Sequence, residues 1–276
     1  MEIGADIYQH FSGSFGAKKW ISATAVADLG NAQAIALAPV RRYLITFRIC
    51  ALYLLNRSGS TVVMGIGVRY ATSTWAAGQV TAAGVYTDDT TDAQSATAAD
   101  FPLHTRTDSG SGFLLSADER FNIVALIQSA AGDQTTPTQV IEYWNGAAWT
   151  DLAATCFIND ALDANSTGEK IICFPMPFDW VVGGSGTGVP ASRYNLRIRQ
   201  TTGGAGSANP VATQVFIGFV KALIPGLVDG NFGGLIREHP LTYPASGDAL
   251  FPLSSVASAN NYLEVDVQWC APAGHP

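Results

Sequence analysis

The sequence predicts an all-β protein of antiparallel strands, arranged as a β-sandwich or jelly roll. Apolar residues alternate with polar or small residues at every second position wherever the sequence is periodic. Segments rich in Gly, Pro or Asn separate these alternating stretches, as turns separate strands. Long helical periodicity is absent, so helices are expected only as short segments in the Ala-rich ranges 22–38 and 93–100.

The clearest strand pattern lies in residues 41–55, where aromatic and aliphatic residues share alternate positions. Residues 62–70 alternate in the same way, and residues 56–60 (Asn-Arg-Ser-Gly-Ser) have the composition of a turn. These two strands are therefore predicted to form a hairpin. The same period returns at residues 123–128, 139–144, 194–200, 213–220 and 263–270.

Changes of composition divide the chain into three predicted parts, and packing as two β-rich parts is an alternative. Residues 1–112 form an N-terminal β-rich part, and residues 113–224 form a β-sandwich module. Residues 225–276 form a Pro-rich C-terminal segment with a final strand. The pattern is compatible with this segment lying on its own sandwich or on another subunit.

The chain carries few charges for its 276 residues. Charged residues make up 13 % of the sequence, against about 25 % in ordinary soluble domains. A weakly charged surface is cheap to desolvate, which favours permanent contact with neighbouring subunits. A neutral secreted domain is the alternative interpretation.

The balance of charge argues against two classes of partner. The formal net charge is -7, and no segment clusters Lys and Arg, so neither nucleic acid nor an anionic membrane is expected as a partner. The N-terminus lacks the basic and apolar regions of a signal peptide, and no apolar run is long enough to span a bilayer. Synthesis in a cytoplasm without an export signal is expected.

The cysteines and histidines show no metal-binding or redox spacing. Cys50, Cys156, Cys173 and Cys270 are widely separated, lack a CxxC arrangement and have apolar neighbours, which predicts buried free thiols. A bridge between Cys156 and Cys173 is the alternative. The four histidines are scattered, so no metal site is predicted.

The acidic residues that lie near one another in sequence give little support to a glycosidase activity. The pairs Asp88-Asp89 and Asp118-Glu119, and the neighbours Asp160 and Asp163, lie in turn-like contexts where Asp bonds to nearby backbone. The oxygen-rich range 88–92 lacks the spacing of a calcium-binding EF-hand. We therefore predict no enzyme activity and no cofactor.

Two glycine-rich segments, residues 183–188 and 202–207, invite comparison with phosphate-binding loops. Neither has the spacing of a dinucleotide-binding or P-loop motif, and neither precedes a predicted helix. They are predicted to be flexible loops between strands.

The middle of the chain contains an ordered series of short motifs. Residues 141–152 read IEYWNGAAWTDL, which resembles the YWNG-x-x-W-x-x-L hairpin of β-sandwich domains in virion proteins of tailed bacteriophages. The later elements of that pattern follow in order: Thr167-Gly168, Phe174-x-x-Pro177, Asp179-Trp180, a glycine-rich loop and Tyr194-x-x-Arg197-x-Arg199.

The resemblance implies a structural protein of the virion, assembled in the host cytoplasm. A capsid decoration or cement protein is the first expectation, and a tail or baseplate component, a carbohydrate-binding adhesin and a depolymerase are the alternatives. The implied partners are the major capsid protein or other virion subunits, and further copies of the chain as a trimer or dimer.

Four tryptophans are the candidate contacts for a sugar or a protein partner: Trp75, Trp144, Trp149 and Trp180. Aromatic faces stack on sugar rings, but the same residues can close the core of a small sandwich. Asn145-Gly146 predicts a tight reversal between Trp144 and Trp149.

One strand is predicted to separate its charges from its apolar side chains. Arg197 and Arg199 share a parity, so both are expected on the face opposite Leu196 and Ile198.

Overall fold

The computed structural model describes the backbone of residues 14–23, 35–36, 46–55, 59–105, 110–132, 138–152, 155–156, 158–159, 167–202, 208–227, 232–235, 239–241, 249–254 and 261–270. These residues form mostly antiparallel strands, which confirms the all-β prediction. The described α-helix, α1, has four residues, Thr90–Ala93. No helix in the described ranges is long and apolar enough to cross a membrane.

The described strands are, in chain order, β1 (Ser14–Ala23), β2 (Ile35–Ala36), β3 (Thr46–Leu55), β4 (Val62–Arg69), β5 (Trp75–Val80), β6 (Tyr86–Asp88), β7 (Phe101–Pro102), β8 (Gly112–Ala117), β9 (Ile123–Ala130), β10 (Thr138–Trp144), β11 (Trp149–Asp151), β12 (Ile158–Asn159), β13 (Gly168–Cys173), β14 (Tyr194–Thr202), β15 (Val211–Leu227), β16 (Phe232–Leu235), β17 (His239–Leu241), β18 (Ala249–Ser254) and β19 (Asn261–Cys270).

The chain divides into two compact units. The first unit combines Met1–Arg69 with Val220–Pro276, and the second is Tyr70–Phe219. These divisions differ from the predicted boundaries at 112/113 and 224/225. The N-terminal and C-terminal segments belong to one unit because β19 pairs with both β1 and β3.

Within the first unit, one sheet has the order β1-β19-β3-β16, with β17 also paired to β3, and β4-β18-β2 are successive neighbours in another. The predicted hairpin between residues 41–55 and 62–70 is wrong, because β3 and β4 lie in different sheets. β19 occupies one edge of β3, and β16 and β17 occupy the other, which leaves no edge for β4.

The second unit is a two-sheet sandwich. One sheet has six strands in the order β11-β10-β14-β8-β5-β6, and the other contains β12-β13-β9-β15, with β7 also paired to β15. Ile141 and Ile198 of the first sheet share one apolar core with Leu126 and Val215 of the second. In β10 and β14 every second side chain faces this core, as the alternation predicted.

The Ala-rich ranges contribute little helix. Within 93–100, Ala93 alone is α-helical, as the last residue of α1. Residues 22–23 end β1 and residues 35–36 form β2, while the rest of 22–38 lies outside the described residues.

Candidate functional site

The predicted YWNG hairpin is confirmed. β10 and β11 pair in antiparallel fashion, with Trp144 opposite Trp149. Gly146 has a φ of 97°, a left-handed conformation that glycine adopts without steric cost. The Asn145 side-chain oxygen accepts hydrogen bonds from the backbone N–H groups of Ala147 (2.9 Å) and Ala148 (2.8 Å). This turn holds the two tryptophans side by side.

The structure brings two of the four candidate tryptophans together and separates the other two from them. The rings of Trp144 and Trp149 meet edge to face, with centroids 5.5 Å apart, and both residues are half-buried. The guanidinium carbon of Arg197 lies 4.4 Å from the centroid of Trp149. One face of the Trp149 ring is therefore already covered by a cation–π contact.

Trp180 is a core residue with no exposed surface. Its ring contacts Phe121, Tyr143 and Tyr194 at centroid distances of 5.1, 6.1 and 6.0 Å. Its indole N–H donates a 3.2 Å hydrogen bond to the carbonyl oxygen of Asn195. Trp180 therefore fills the core of the sandwich, which was the alternative to ligand contact for the four tryptophans.

Trp75 is also buried, with 2 % of its surface exposed. Its indole N–H has no hydrogen-bond partner among the described residues. Neither Trp75 nor Trp180 presents a ring face to a ligand at the surface.

The glycine-rich segment 181–192, here called the strap, crosses the outer face of the six-stranded sheet. At its start, the N–H of Val181 donates to the carbonyl of Trp144 (3.2 Å). Further along, the indole N–H of Trp149 donates to Ser185 (3.4 Å). At the opposite edge of the sheet, Thr187 exchanges backbone hydrogen bonds of 2.9 Å with Gly84 and Tyr86.

These contacts fix residues 183–188 at several points, which differs from the flexible loop that the sequence suggested. A Cβ atom at Gly184 would lie 2.6 Å from the side chain of Val189, and one at Gly186 would lie 2.4 Å from the carbonyl oxygen of Gly84. Glycine is required at Gly186, where φ is 138° and the backbone passes close to the backbone of Gly84. Residues 203–207 of the second glycine-rich segment lie outside the described residues.

Asn195 fastens the strap to the sheet. Its side chain is fully buried on the outer face, and its amide nitrogen donates to the carbonyls of Gly183 (2.8 Å) and Pro190 (2.7 Å). Its side-chain oxygen accepts a hydrogen bond from the hydroxyl of Ser116 on β8. One polar residue therefore joins both ends of the strap to two strands.

Glu142 organises a charged cluster on the same outer face. Its carboxylate accepts hydrogen bonds from Nε of Arg197 (2.6 Å) and from Nε and Nη2 of Arg199 (2.9 and 3.1 Å). Burial alone would raise the pKa of Glu142, but the hydrogen bonds and charges of Arg199 and Arg197 outweigh it and lower that pKa below its ordinary value. Both arginines thus lie opposite buried Leu196 and Ile198, as predicted.

The described carboxylates of these pairs make one local and one long-range contact. Asp88 accepts a 3.1 Å hydrogen bond from the N–H of Thr90, the backbone contact expected of a turn aspartate. Asp118 pairs with Arg193 at 3.0 Å. Asp160 and Asp163 lie outside the described residues. Within the described ranges, no group of three or more His, Cys, Asp and Glu side chains is placed to hold a metal ion.

Two cysteines can be placed. Cys156 is half-buried, Cys173 is buried, and both are free thiols rather than the bridge considered as the alternative. Burial raises the pKa of Cys156 to about 11 and that of Cys173 to about 12. Both thiols are therefore protonated at neutral pH and poorly nucleophilic. The side chains of Cys50 and Cys270 lie outside the described set.

An exposed aromatic residue stands beside the hairpin. Phe178 has 92 % of its surface exposed. Its neighbour Asp179 accepts a 2.8 Å hydrogen bond from the hydroxyl of Tyr143. Val181 and Val182 are 39 % and 47 % exposed. A Cβ atom at Gly146 would lie 3.1 Å from Val181, so the strap touches the hairpin turn here. Together they form a surface of aromatic, aliphatic and glycine residues.

Sequence reasoning missed Asn195, Glu142 and Phe178. Asn195 and Glu142 lie within strands, where their partners come from distant segments, and no motif marks them. Phe178 lies between Pro177 and Asp179, and these two residue types are a usable signal for a turn. No protein-family model matches the chain, and no curated protein matches it.

Proposed function

We propose that the chain is a non-enzymatic structural subunit of a tailed-bacteriophage particle and acts as a capsid decoration or cement protein. The supporting observation is that the separated motifs of the resemblance assemble into one structure. Trp149 of the hairpin contacts Arg197 of the last motif. Trp180 of the Asp-Trp motif packs against Tyr194, and Asp179 bonds to Tyr143. The motifs therefore specify one folded module rather than independent short matches.

The surface of this module suits a permanent contact. The strap and the hairpin turn expose mainly Gly, Ala, Ser, Thr and Val, whose desolvation costs little. The backbone of the strap is held by hydrogen bonds, so little conformational freedom would be lost on binding. A decoration protein needs these properties, because it adds buried area between neighbouring capsid subunits.

The test is the number of copies in each part of the particle. Purified phage particles are gently disrupted, heads are separated from tails, and this polypeptide is quantified against the major capsid protein in each fraction. Recovery with heads, at copy numbers comparable to the capsid protein, is the expected result. Recovery with tails at a few copies would instead assign the chain to the tail or baseplate, and absence from both fractions would reject a virion role.

A carbohydrate-binding adhesin is the second candidate, and the half-exposed tryptophan pair is the observation that favours it. Trp144 and Trp149 lie together at the surface, where aromatic rings can stack on a sugar. Binding of host-surface glycans that disappears in Trp144→Ala but persists in Val182→Ala would support this role. Equal binding by both variants, or none by the unmodified protein, would reject it.

A further inference from the structure

The turn of the YWNG hairpin contains the one Asn-Gly pair in the sequence, Asn145-Gly146. In such a pair, the backbone nitrogen of glycine can attack the side-chain carbonyl carbon of asparagine, and the two groups meet at high effective concentration because one chain joins them. Glycine has no side chain to obstruct this approach. The pair is therefore a candidate for deamidation, the loss of the side-chain amide to water.

The attacking group is accessible in the folded protein. Gly146 is exposed, and its N–H has no hydrogen-bond acceptor among the described residues. The N–H of Asn145, by contrast, donates a 3.1 Å hydrogen bond to the carbonyl of Ala148. The nitrogen of Gly146 can thus give its proton to a base in the solvent without the loss of a hydrogen bond within the protein.

The carbonyl group under attack is polarised by the turn. Its oxygen, Oδ1 of Asn145, accepts hydrogen bonds from the N–H groups of Ala147 (2.9 Å) and Ala148 (2.8 Å). Negative charge develops on this oxygen when a nucleophile adds to Cγ, and two N–H donors at such distances stabilise an oxyanion. The leaving nitrogen, Nδ2, donates a 3.0 Å hydrogen bond to the hydroxyl oxygen of Thr150. The contacts that hold the turn therefore also favour the reaction.

We propose that Asn145 is a site of spontaneous deamidation, promoted by its own turn and independent of the proposed role in the particle. The nitrogen of Gly146 gives its proton to a base in the solvent and bonds to Cγ of Asn145. The Cγ–Nδ2 bond breaks, and ammonia leaves with a proton taken from water. Water then opens the resulting five-membered succinimide at either of its two carbonyl groups, which gives aspartate or isoaspartate and restores the N–H of Gly146. Water is the only co-reactant, and no oxidation or reduction takes place.

The two products differ in their effect on the hairpin. Aspartate keeps a side-chain oxygen that can accept the hydrogen bonds of Ala147 and Ala148. Isoaspartate carries the main chain through the former side chain, so it removes this acceptor and adds a methylene group to the turn. It should therefore disturb the pairing of Trp144 with Trp149 and weaken the hydrogen bond from Val181 to Trp144, which holds the start of the strap.

The experiment incubates the purified full-length chain in neutral and in mildly alkaline buffer and follows each asparagine by peptide mapping with mass spectrometry. Asn145 should convert to a mixture of aspartate and isoaspartate, and faster in alkali because the attacking nitrogen must lose a proton. Asn122 and Asn195 are internal controls, since both are buried and are followed by Ile and Leu. An unmodified Asn145, an equal rate at the controls, or aspartate without isoaspartate would overturn the proposal.

The contribution of the turn is measured by comparing the folded chain with the same chain unfolded in urea. The folded chain should react at least as fast, because the turn supplies two N–H donors to the oxyanion. A slower reaction in the folded chain would show that the turn protects Asn145, which contradicts the proposal.

Two variants test the attacking and the attacked group separately. Gly146→Ala places a methyl group beside the attacking nitrogen and should slow the modification at least about tenfold. Because alanine is strained at a φ of 97°, this variant is also measured in urea, where only the obstruction by the methyl group acts. Asn145→Gln keeps an amide but requires a six-membered ring, so it should stay unmodified over the same period. Modification of either variant at the rate of the unmodified protein would overturn the proposal.

Discussion

The two faces of the six-stranded sheet in the second unit bury their side chains by different means. The inner face buries Phe113, Leu196 and Ile198 in an apolar core. The outer face buries Asn195 and Glu142 almost as completely, but every contact described for these two is a hydrogen bond or an ion pair. Apolar packing tolerates a change of partner when the volume is kept, whereas a buried polar group becomes costly when one partner is lost. Stability should therefore depend on hydrogen-bonding groups at the outer face and on side-chain volume at the inner face.

The largest effect is expected on the inner face, from Trp180→Ala. Removing a fully buried indole leaves a cavity and should lower the free energy of unfolding by about 3–5 kcal/mol. Urea unfolding followed by circular dichroism measures this loss. The control is Trp144→Ala, which should cost much less because Trp144 is half-buried. Equal losses in the two variants would contradict the distinction between core and surface tryptophans.

On the outer face, Asn195→Leu keeps the approximate volume but removes the amide that holds the strap. It leaves the carbonyls of Gly183 and Pro190 without this donor, which should cost about 2–4 kcal/mol. Hydrogen exchange should accelerate at the N–H groups of Val181 and Thr187, while β9 stays protected. Ser192→Ala, at an exposed position of the strap, is the control and should change neither quantity. Unchanged exchange in Asn195→Leu would show that other contacts suffice to hold the strap.

Glu142→Gln tests the charged cluster and its dependence on pH. It leaves Arg197 and Arg199 without their shared anion and should cost about 1–3 kcal/mol at neutral pH. Because the folded protein lowers the pKa of Glu142, its contribution is fully present above the ordinary value of 4.5 and is lost as the pH falls through the lower folded value. The difference in stability between the two proteins should therefore shrink in acid. A difference that stays constant with pH would contradict this ionic contribution.

Substitution of His104 should have the smallest effect on the free energy of unfolding at neutral pH. It is 2 % exposed, and neither ring nitrogen has a partner among the described residues. Burial lowers the pKa of His104 from 6.5 to about 4, so between these values the unfolded chain binds a proton that the folded chain does not. The resulting loss of stability, up to about 3 kcal/mol, develops as the pH falls from 6.5 to 4.

His104→Leu should remove this loss and leave stability at neutral pH equal or slightly higher, because it replaces an unpaired polar group by an apolar one. Unfolding free energies measured across this pH range provide the test. A His104→Leu protein that loses as much stability in acid as the unmodified protein would show that other groups dominate.

The sequence revealed strands that have one polar and one apolar face, but not their partners. Period-two alternation predicted β14 and β19, and Asn145-Gly146 predicted the hairpin turn. β8 escaped this reasoning because all six of its residues are buried, so no alternation exists to be seen. The false hairpin between β3 and β4 arose because their composition suits adjacent strands, while the actual partner of β3, β19, lies at the other end of the chain.

The candidate site was predictable to a smaller extent. The resemblance selected Trp144 and Trp149 correctly as neighbours, since strand pairing across a short turn is local. It could not separate them from Trp180, because burial depends on residues such as Phe121 that are distant in sequence. The path of the strap depends on the Asn195 amide, on backbone hydrogen bonds and on the Trp149 indole, and no periodicity records these contacts.

The two edges of the six-stranded sheet are short and charged at their ends. Its edge strands, β6 and β11, have three residues each, and both end at an exposed aspartate, Asp88 and Asp151. Long, flat edges would template the addition of further strands and lead to open-ended fibres. Short edges that end in negative charge provide little backbone for such growth. The edges of this sheet therefore oppose open-ended strand addition even though the chain carries few charges.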